Sequence, residues 1–379
     1  MPGSTIIEGI REFEFTLFML YVRLRILLLS AGWLYGLLIV TWLTLHIHYG
    51  DAFWWLALVN ALAPLLFIPL LPLLGIALIW QRPLFLAPLT PIAAIFLFLY
   101  GEQFPLQRVV GDWLDQPQVT VMSFNVWGGS RTAETAYVLL ENGLPDIAAL
   151  QELTVGMVGV LDEVIGEQYP YRALAVDEGV LGVGILSRLP LSELDASHLF
   201  DLGWKVQIVE IEAPEQPLIL YNLHASATNL LGYQHAGLSL ADEVQASYQQ
   251  RRTFAQRLSE DIRSRTLPVI VAGDFNSTDR SDVYKILAHH LVDAHRAGGW
   301  GFGHTFPVLS DSYREVPALA RLLGDKGAPR PPFRSPLYQL ASLRLMLHSS
   351  EIRTVRSWVS STHGESDHLP VLATLRWVE

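Results

Sequence analysis

No cysteine occurs in the 379 residues, so the chain forms no disulfide, offers no thiolate to a metal, and leaves its redox compartment open. Charge is scarce as well: 17% of residues are charged against 51% hydrophobic, and the mean hydropathy of +0.30 is high for a soluble enzyme of this length. The scarcity is uneven. Before residue 119 only five basic residues occur, Arg11, Arg23, Arg25, Arg82 and Arg108, beside seven acidic ones, Glu8, Glu12, Glu14, Asp51, Glu102, Asp112 and Asp115. Of the 26 basic and 37 acidic residues in the chain, this leaves 21 and 30 for the remainder, a balance of about −9. That sign argues against a long nucleic-acid groove, which Lys and Arg would have to line, but leaves room for a small phosphate pocket. Internal repeats and low-complexity tracts are also lacking.

What is present first is apolar length. Three stretches precede residue 101, at about 26–47, 52–80 and 84–100. A spanning helix needs roughly 20 apolar residues. The first stretch fits and carries no charge. The second holds Pro64, Pro69 and Pro72, which predict a kink or tilt, and the third is short and holds Pro88 and Pro91. A cleaved signal peptide fits the first stretch poorly, because the apolar run is too long and no small-residue cleavage site follows. The preceding segment, GIREFEFTLFMLYVRLR, reads either as an interfacial amphipathic helix or as an extension of the first span. Arg11, Arg23 and Arg25 before the first span and Arg82 between the second and third place the N-terminus inside; everything after Tyr100 is then extracytoplasmic. Trp54, Trp55 and Trp80 suit the aromatic belts, and His46 and His48, two apart on a helix, read as interfacial rather than as a metal pair. The expected organisation is an all-α transmembrane region over 1–101 with about three helices, a linker over 102–118, and a soluble domain over 119–379.

The soluble part alternates strand-like and helix-like runs. VTVMSFNV, DIAALQE, GVGILS, KVQIVEIEA, PLILYNLH, PVIVAGD and PVLATLRW read as strands. TAETAYVLLENG, ending at Gly143, VGMVGVLDEVIGEQ, a long segment over about 242–265, and SDVYKILAHH read as helices. The fold class expected is α/β: a four-layer sandwich of two packed sheets flanked by helices.

Polar residues collect where these strands end: Asn125, Glu152, His224, Asp274 and Asn276, and Asp367 with His368 just before the last strand. Loops at strand ends are where α/β folds build sites. Carboxylates and amides are hard oxygen ligands of the kind magnesium, manganese or calcium prefers, and the histidines offer proton transfer or charge stabilisation. Taken singly, each has an ordinary structural reading: GDFN as an Asp/Gly turn, SDH as a polar turn, Glu152 as a local cap or pair, Asn125 as a turn residue.

The ordered set VMSFNVWGG, PDIAALQEL, GVGILSRLP, YNLHASA, VIVAGDFNS and GESDHLPVLATL, over about 119–377, resembles the consecutive signatures of the endonuclease/exonuclease/phosphatase superfamily. DAHRAGGWGFGHTFP is similar to a segment of its bacterial membrane-anchored members. The resemblance implies that Glu152 is the principal metal ligand, that Asn125 beside it helps hold metal or phosphate, and that Asp367 supports the metal site. It implies that Asp274 orients or deprotonates the attacking water and that Asn276 hydrogen-bonds the phosphoryl oxygens. His224 would contact the phosphate or assist the leaving group, and His368 would act as base or stabilise the pentacoordinate transition state. The implied cofactor is a divalent metal, Mg2+ first, with Mn2+ or Ca2+ as alternatives.

One departure stands out. Members carry an Arg-Ile-Asp-Tyr-like strand whose Asp holds the catalytic histidine; aligned from HSSEIRTV, that Asp position is Arg344 here. A guanidinium accepts no hydrogen bond and disfavours an imidazolium nearby. Either another carboxylate, Asp311 or Glu365, compensates, or His368 is poorly poised. His289 and His290 read as surface, while His304, Trp300, Phe302 and Phe306 read as packing of one loop.

Three functional readings follow. One is a membrane-anchored, metal-dependent phosphodiesterase or phosphatase acting outside the cytoplasm, for which the anchor and acidic balance favour a lipid head group or small phosphoester over duplex DNA. The second is an extracytoplasmic nuclease, which needs a basic strip where only pairs such as Arg251 and Arg252 are seen. The third is a catalytically impaired subunit or scaffold of a membrane complex. The partners expected are the bilayer, a phosphoester substrate and, for the third reading, other subunits.

Overall fold

The computed structural model describes residues 3–80, 83–105, 117–128, 132–202, 204–225, 239–306 and 343–378. They fall into two compact units, Met1–Tyr49 with Ala63–Glu102, and Gly50–Leu62 with Gln103–Glu379. The chain therefore enters the second unit at Gly50, leaves it at Ala63 and re-enters at Gln103.

The first unit is helical. Helix α1 (Gly3–Tyr49) runs 47 residues without a proline to break its hydrogen-bond ladder, and Gly50, at φ +53°, ends it. The segment before the first apolar stretch is thus continuous with it, as the extension reading has it. Within α1, Arg11–Tyr49 is the helix among the described residues that is long and apolar enough to cross a membrane; residues 54–61 and 63–79 add a second only if taken together as one broken span. Prolines set the later breaks. Pro69 and Pro88 precede α3 (Leu70–Ile79) and α5 (Leu89–Tyr100), and Pro72 and Pro91 fall in first turns, where the missing N–H has no intrahelical partner to lose. The short α4 (Pro83–Leu86) occupies the start of the third stretch, and α2 (Trp54–Ala61) belongs to the second unit. His46 is buried and stacks on Trp42 at 5.5 Å, whereas His48 is exposed and bonds the Thr44 carbonyl.

The second unit holds two six-stranded sheets. The strands, in chain order, are β1 (Val119–Asn125), β2 (Ile147–Gln151), β3 (Tyr171–Ala175), β4 (Val183–Ser187), β5 (Leu191–Leu194), β6 (Lys205–Ile211), β7 (Leu218–His224), β8 (Val269–Ser277), β9 (Val292–Asp293), β10 (Leu343–His348), β11 (Ile352–Val359) and β12 (Val371–Trp377). The first sheet has the order β11-β12-β1-β2-β4-β3 and the second β5-β6-β7-β8-β10-β9. Each has one parallel pair, β1 with β2 and β7 with β8, among antiparallel neighbours.

Apolar patterning explains the layers. In β8, Ile270 and Ala272 face the core between the sheets, while Val269 and Val271 face the core under the flanking helices. That double burial is why the run VIVA does not alternate. Helices α8 (Leu240–Ser264) and α9 (Asp282–Ala288) cover the second sheet with Phe254, Leu258, Ile262, Val283 and Leu287. Helices α6 (Thr132–Glu141) and α7 (Val155–Ile165) cover the first with Val138, Leu139, Met157, Leu161 and Ile165. Each of these three cores is apolar, and the result is the four-layer α/β sandwich. The helix ends are chemically marked: Thr154, Ser239 and Ser281 accept backbone N–H groups of the first turns of α7, α8 and α9, and Gly143, at φ +77°, follows α6. A short α10 (Ala294–Gly298) is capped by Asp293.

Candidate active site

Both parallel pairs end at the same place. Asn125 and Gln151 close β1 and β2 in register, and His224 and Asp274 are in register on β7 and β8. Crevices beyond the carboxyl ends of parallel strands are the standard ligand position of α/β sheets.

Asn125 links the two sheets. Its Nδ2 donates to Glu152 Oε1 at 2.9 Å and to Asp274 Oδ2 at 3.0 Å, while its Oδ1 accepts the Trp127 N–H. Glu152 Oε2 accepts the Gly128 N–H at 3.1 Å, and His224 Nε2 lies 3.7 Å from Oε1. Asp274 Oδ1 accepts the Asn276 N–H at 3.1 Å; on its other oxygen, His368 Nε2 stands 3.6 Å away. Asp367 Oδ1 is 3.8 Å from the same imidazole nitrogen. Asn276 donates its own Nδ2 to the Ala225 carbonyl at 2.6 Å. Six of the seven residues expected from the sequence are therefore tied directly into one cluster by contacts of their side chains, and Asn276 joins by its backbone N–H.

The backbone here is held in unusual shapes. Trp127, Glu152 and Asn276 have φ of +57°, +60° and +45°. Such positions cost a non-glycine residue roughly 1–3 kcal/mol each and persist where the surroundings over-determine them. Part of that determination lies beneath the site. Gln151 Nε2 donates to Asn222 Oδ1 at 2.8 Å, and Asn222 Nδ2 reaches the carbonyls of Leu150 and Gly184, so a fully buried amide pair fixes one sheet against the other. Ser366 Oγ donates to the Asn125 carbonyl at 2.7 Å and accepts the His368 N–H, which ties the SDH turn to β1.

Several participants are not visible from sequence reasoning. Phe306 stacks on His368, with ring centroids 4.3 Å apart, so it does more than pack its loop. Trp300 and Phe302 do pack, both against Phe104 at 5.4 and 5.2 Å, and Phe302 stacks on His304. Burial pushes the His304 imidazole below its usual pKa. Arg251, read as half of a scattered basic pair, is fully buried and donates to the Asn276 carbonyl. Arg252 is exposed, 3.6 Å from the Asp282 carboxylate. His289 and His290 are exposed, as expected. The backbone of Arg344 stands opposite Asp274 in the β10–β8 register, just past an irregularity at Leu343. Asp311 lies outside the described residues.

The profile of the Endonuclease/Exonuclease/phosphatase family matches residues 122–368, well over half of the chain. The chain belongs to this family. Its members hydrolyse phosphoester bonds. All seven site positions fall inside the matched family region. Solved structures with similarity include the endonuclease/exonuclease/phosphatase from Beutenbergia cavernae, at 16% identity over 69% of this chain and 72% of that one, with a TM-score of 0.45. Caenorhabditis elegans TDP2 is similar at 17% identity over 70% of this chain and 77% of that one, with a TM-score of 0.48. D. rerio TDP2, solved in complex with a single-strand DNA product, is similar at 18% identity over 68% and 99%, with a TM-score of 0.46. No curated protein matches the chain at a significant level.

Proposed function

We propose that the second unit is a divalent-metal-dependent phosphoester hydrolase, a phosphodiesterase or phosphatase, on a membrane-anchored chain that acts outside the cytoplasm. The observation that carries this reading is the Glu152–Asn125–Asp274 linkage with His224 and His368 on either side. The donor chemistry suits a hard cation: two buried carboxylates, Glu152 and Asp274, converge on Asn125, whose Nδ2 faces both. Among the described residues no three His, Asp or Glu side chains form an ion cage by themselves. Magnesium commonly binds through one or two carboxylates and keeps waters or substrate phosphates in its remaining positions. Glu152 and Asn125 would hold the ion, with Asp367 in support, and manganese or calcium are the alternatives. When bound, such an ion neutralises phosphate charge.

The remaining steps belong to the chain itself. Asp274, whose carboxylate is aimed by Asn125 and by the Asn276 N–H, orients the attacking water and takes its proton. Asn276 donates to the phosphoryl oxygens, for which its second Nδ2 hydrogen is suited. His224 contacts the phosphate or the leaving oxygen. His368, braced by Phe306, stabilises the charge that develops in the pentacoordinate transition state. The acidic balance of the domain and the anchor favour a lipid head group or a small phosphoester over duplex DNA.

A second reading, an impaired subunit or scaffold of a membrane complex, is favoured by one observation: Arg344 occupies the strand position opposite Asp274. The test is to assay the full-length protein in detergent against phospholipid, nucleotide and DNA phosphoesters with magnesium, manganese and calcium, beside Glu152→Gln. Hydrolysis of at least one substrate is expected. The variant should bind the cation at least tenfold more weakly by calorimetry while keeping its fold, because a neutral amide is a poor ligand for a hard ion. No hydrolysis with any cation, or unchanged cation affinity in Glu152→Gln, would overturn it.

A further inference from the structure

Asn276 is held from behind. Its carbonyl accepts a hydrogen bond from Arg251 Nη1 at 2.5 Å, and its φ of +45° puts it in the left-handed region, which asparagine adopts more readily than most residues. Arg251 projects from α8 and is 2% exposed, with its guanidinium 4.6 Å from the Tyr248 ring centroid. Burial pushes its pKa down, opposed by Tyr248 and by the Asp51 carboxylate. A buried guanidinium is costly unless its surroundings compensate it. The segment packed against its helix comes from far away in the sequence.

Asp51 begins the segment Gly50–Leu62 and is 7% exposed. Its carboxylate accepts the Asp282 N–H at 2.7 Å and Asn60 Nδ2 at 2.9 Å, and its own N–H donates to the Asp282 carboxylate at 3.2 Å. Asn60, 1% exposed, also donates to the Gly50 carbonyl at 2.9 Å. Gln245 on α8 donates to the Ala52 carbonyl at 2.8 Å. Gly50 is required at its position: at φ +53° an added Cβ would stand 2.2 Å from an Asp282 carboxylate oxygen. A cavity of about 10 Å³ is lined by Asp51, Asn60, Tyr248 and Asn276 together, so the segment reaches the back of the site. Hydropathy alone absorbs this segment into an apolar stretch; its two buried polar residues have a different use.

We propose that Arg251 is a positioning residue for Asn276, and that the segment Gly50–Leu62 holds α8, the helix that carries Arg251, and the start of α9 in place through Ala52 and Asp51. The inference rests on the role given above to Asn276. The segment between the first long helix and the rest of the first unit is then a working part of the active site, and not a connector.

The experiment uses the full-length protein in detergent, with Asp51→Ala, the milder Asp51→Asn, and Arg251→Lys, which keeps the charge and loses the fork. Three quantities are read: kcat and KM on the best substrate of the preceding assay, magnesium affinity by calorimetry, and hydrogen exchange of peptides across 269–277. In Asp51→Ala and Arg251→Lys, kcat should fall about tenfold or more, with KM and magnesium affinity within about twofold of the parent. Exchange should quicken at Asn276 and Ser277 and stay unchanged in the core of β8. Asp51→Asn should give a smaller fall in the same direction. The proposal is overturned if kcat and local exchange are both unchanged. It is also overturned if kcat, magnesium affinity and protection throughout the unit fall together, since that marks a purely structural segment. If the parent hydrolyses nothing, the functional reading fails by itself, and exchange at Asn276 alone decides this inference.

Discussion

Arg344 and His348 lie four residues apart on β10, and each has a consequence that can be measured. The strand register sets Arg344 opposite Asp274, the residue 3.6 Å from His368. A guanidinium there accepts no hydrogen bond from the imidazole, so unless another carboxylate compensates, turnover by the native protein should be weak. Arg344→Asp should raise it by roughly tenfold or more, the scale on which second-shell partners act. Robust native turnover that collapses in His368→Ala would show that another group orients the histidine. His348 is a different case. It is buried, with Nε2 2.7 Å from Thr354 Oγ1 and Nδ1 2.9 Å from the Ser349 carbonyl, and burial pushes its pKa below the ordinary 6.5. His363 and His304 shift the same way for the same cause. A depressed folded pKa means that the unfolded chain takes up protons which the folded unit refuses, so the associated stability is complete above about 6.5 and is lost as the pH falls. The thermal midpoint of the protein should therefore drop between pH 7 and pH 5, and His348→Asn should make the drop shallower. An equal slope in the variant would remove His348 from the account. At this scale the sequence was informative for residues that motif and strand ends pick out and that the structure brings together, such as Asn125, Glu152 and Asp274. It gave Arg251 and Phe306, read as a scattered basic residue and as loop packing, no place beside the site, and it was silent on Asn222; their partners are set by pairing of distant strands and helices.

Among the elements, the parallel pairs do most to place the site, and Gly273 shows how tightly. It sits on β8 at φ +150°, and an added Cβ would come within 2.1 Å of the Leu223 carbonyl oxygen on β7. Gly273→Ala should destabilise the second unit by about 2 kcal/mol or more, because both the backbone conformation and the strand spacing oppose it. A urea titration would show this as a lower midpoint with an unchanged slope. A midpoint equal to the parent's would mean that β7 and β8 can separate without cost. The same burial explains which strands were legible. β1, β2, β4, β7 and β8 are buried along nearly their whole length and read as apolar runs. β3 keeps one buried residue of five, β5 none, and β11 mixes Arg353 and Arg356 with its apolar positions. Each of these three lies at a sheet edge, where half the hydrogen-bonding groups and most side chains face outward, so no apolar period marks it.

For the whole molecule, arginines flanking the apolar stretches predict that the second unit lies outside the cytoplasm. A reporter that is active only outside the cytoplasm, fused after Glu379, should be active. Activity of a cytoplasm-restricted reporter in its place would reverse the orientation. The interleaving of the chain adds a constraint that is independent of arginine counting. Gly50–Leu62 is packed into the same unit as Gln103–Glu379, so if that unit lies on one face of a membrane both segments share that face. Residues 63–102 therefore cross any membrane that α1 spans an even number of times, zero or two. Three crossings in all satisfy that parity and so does one, whereas two do not. The order of synthesis follows from the same fact: residues 50–62 emerge before most of their packing partners exist, and their buried polar groups wait for α8 and α9 to arrive.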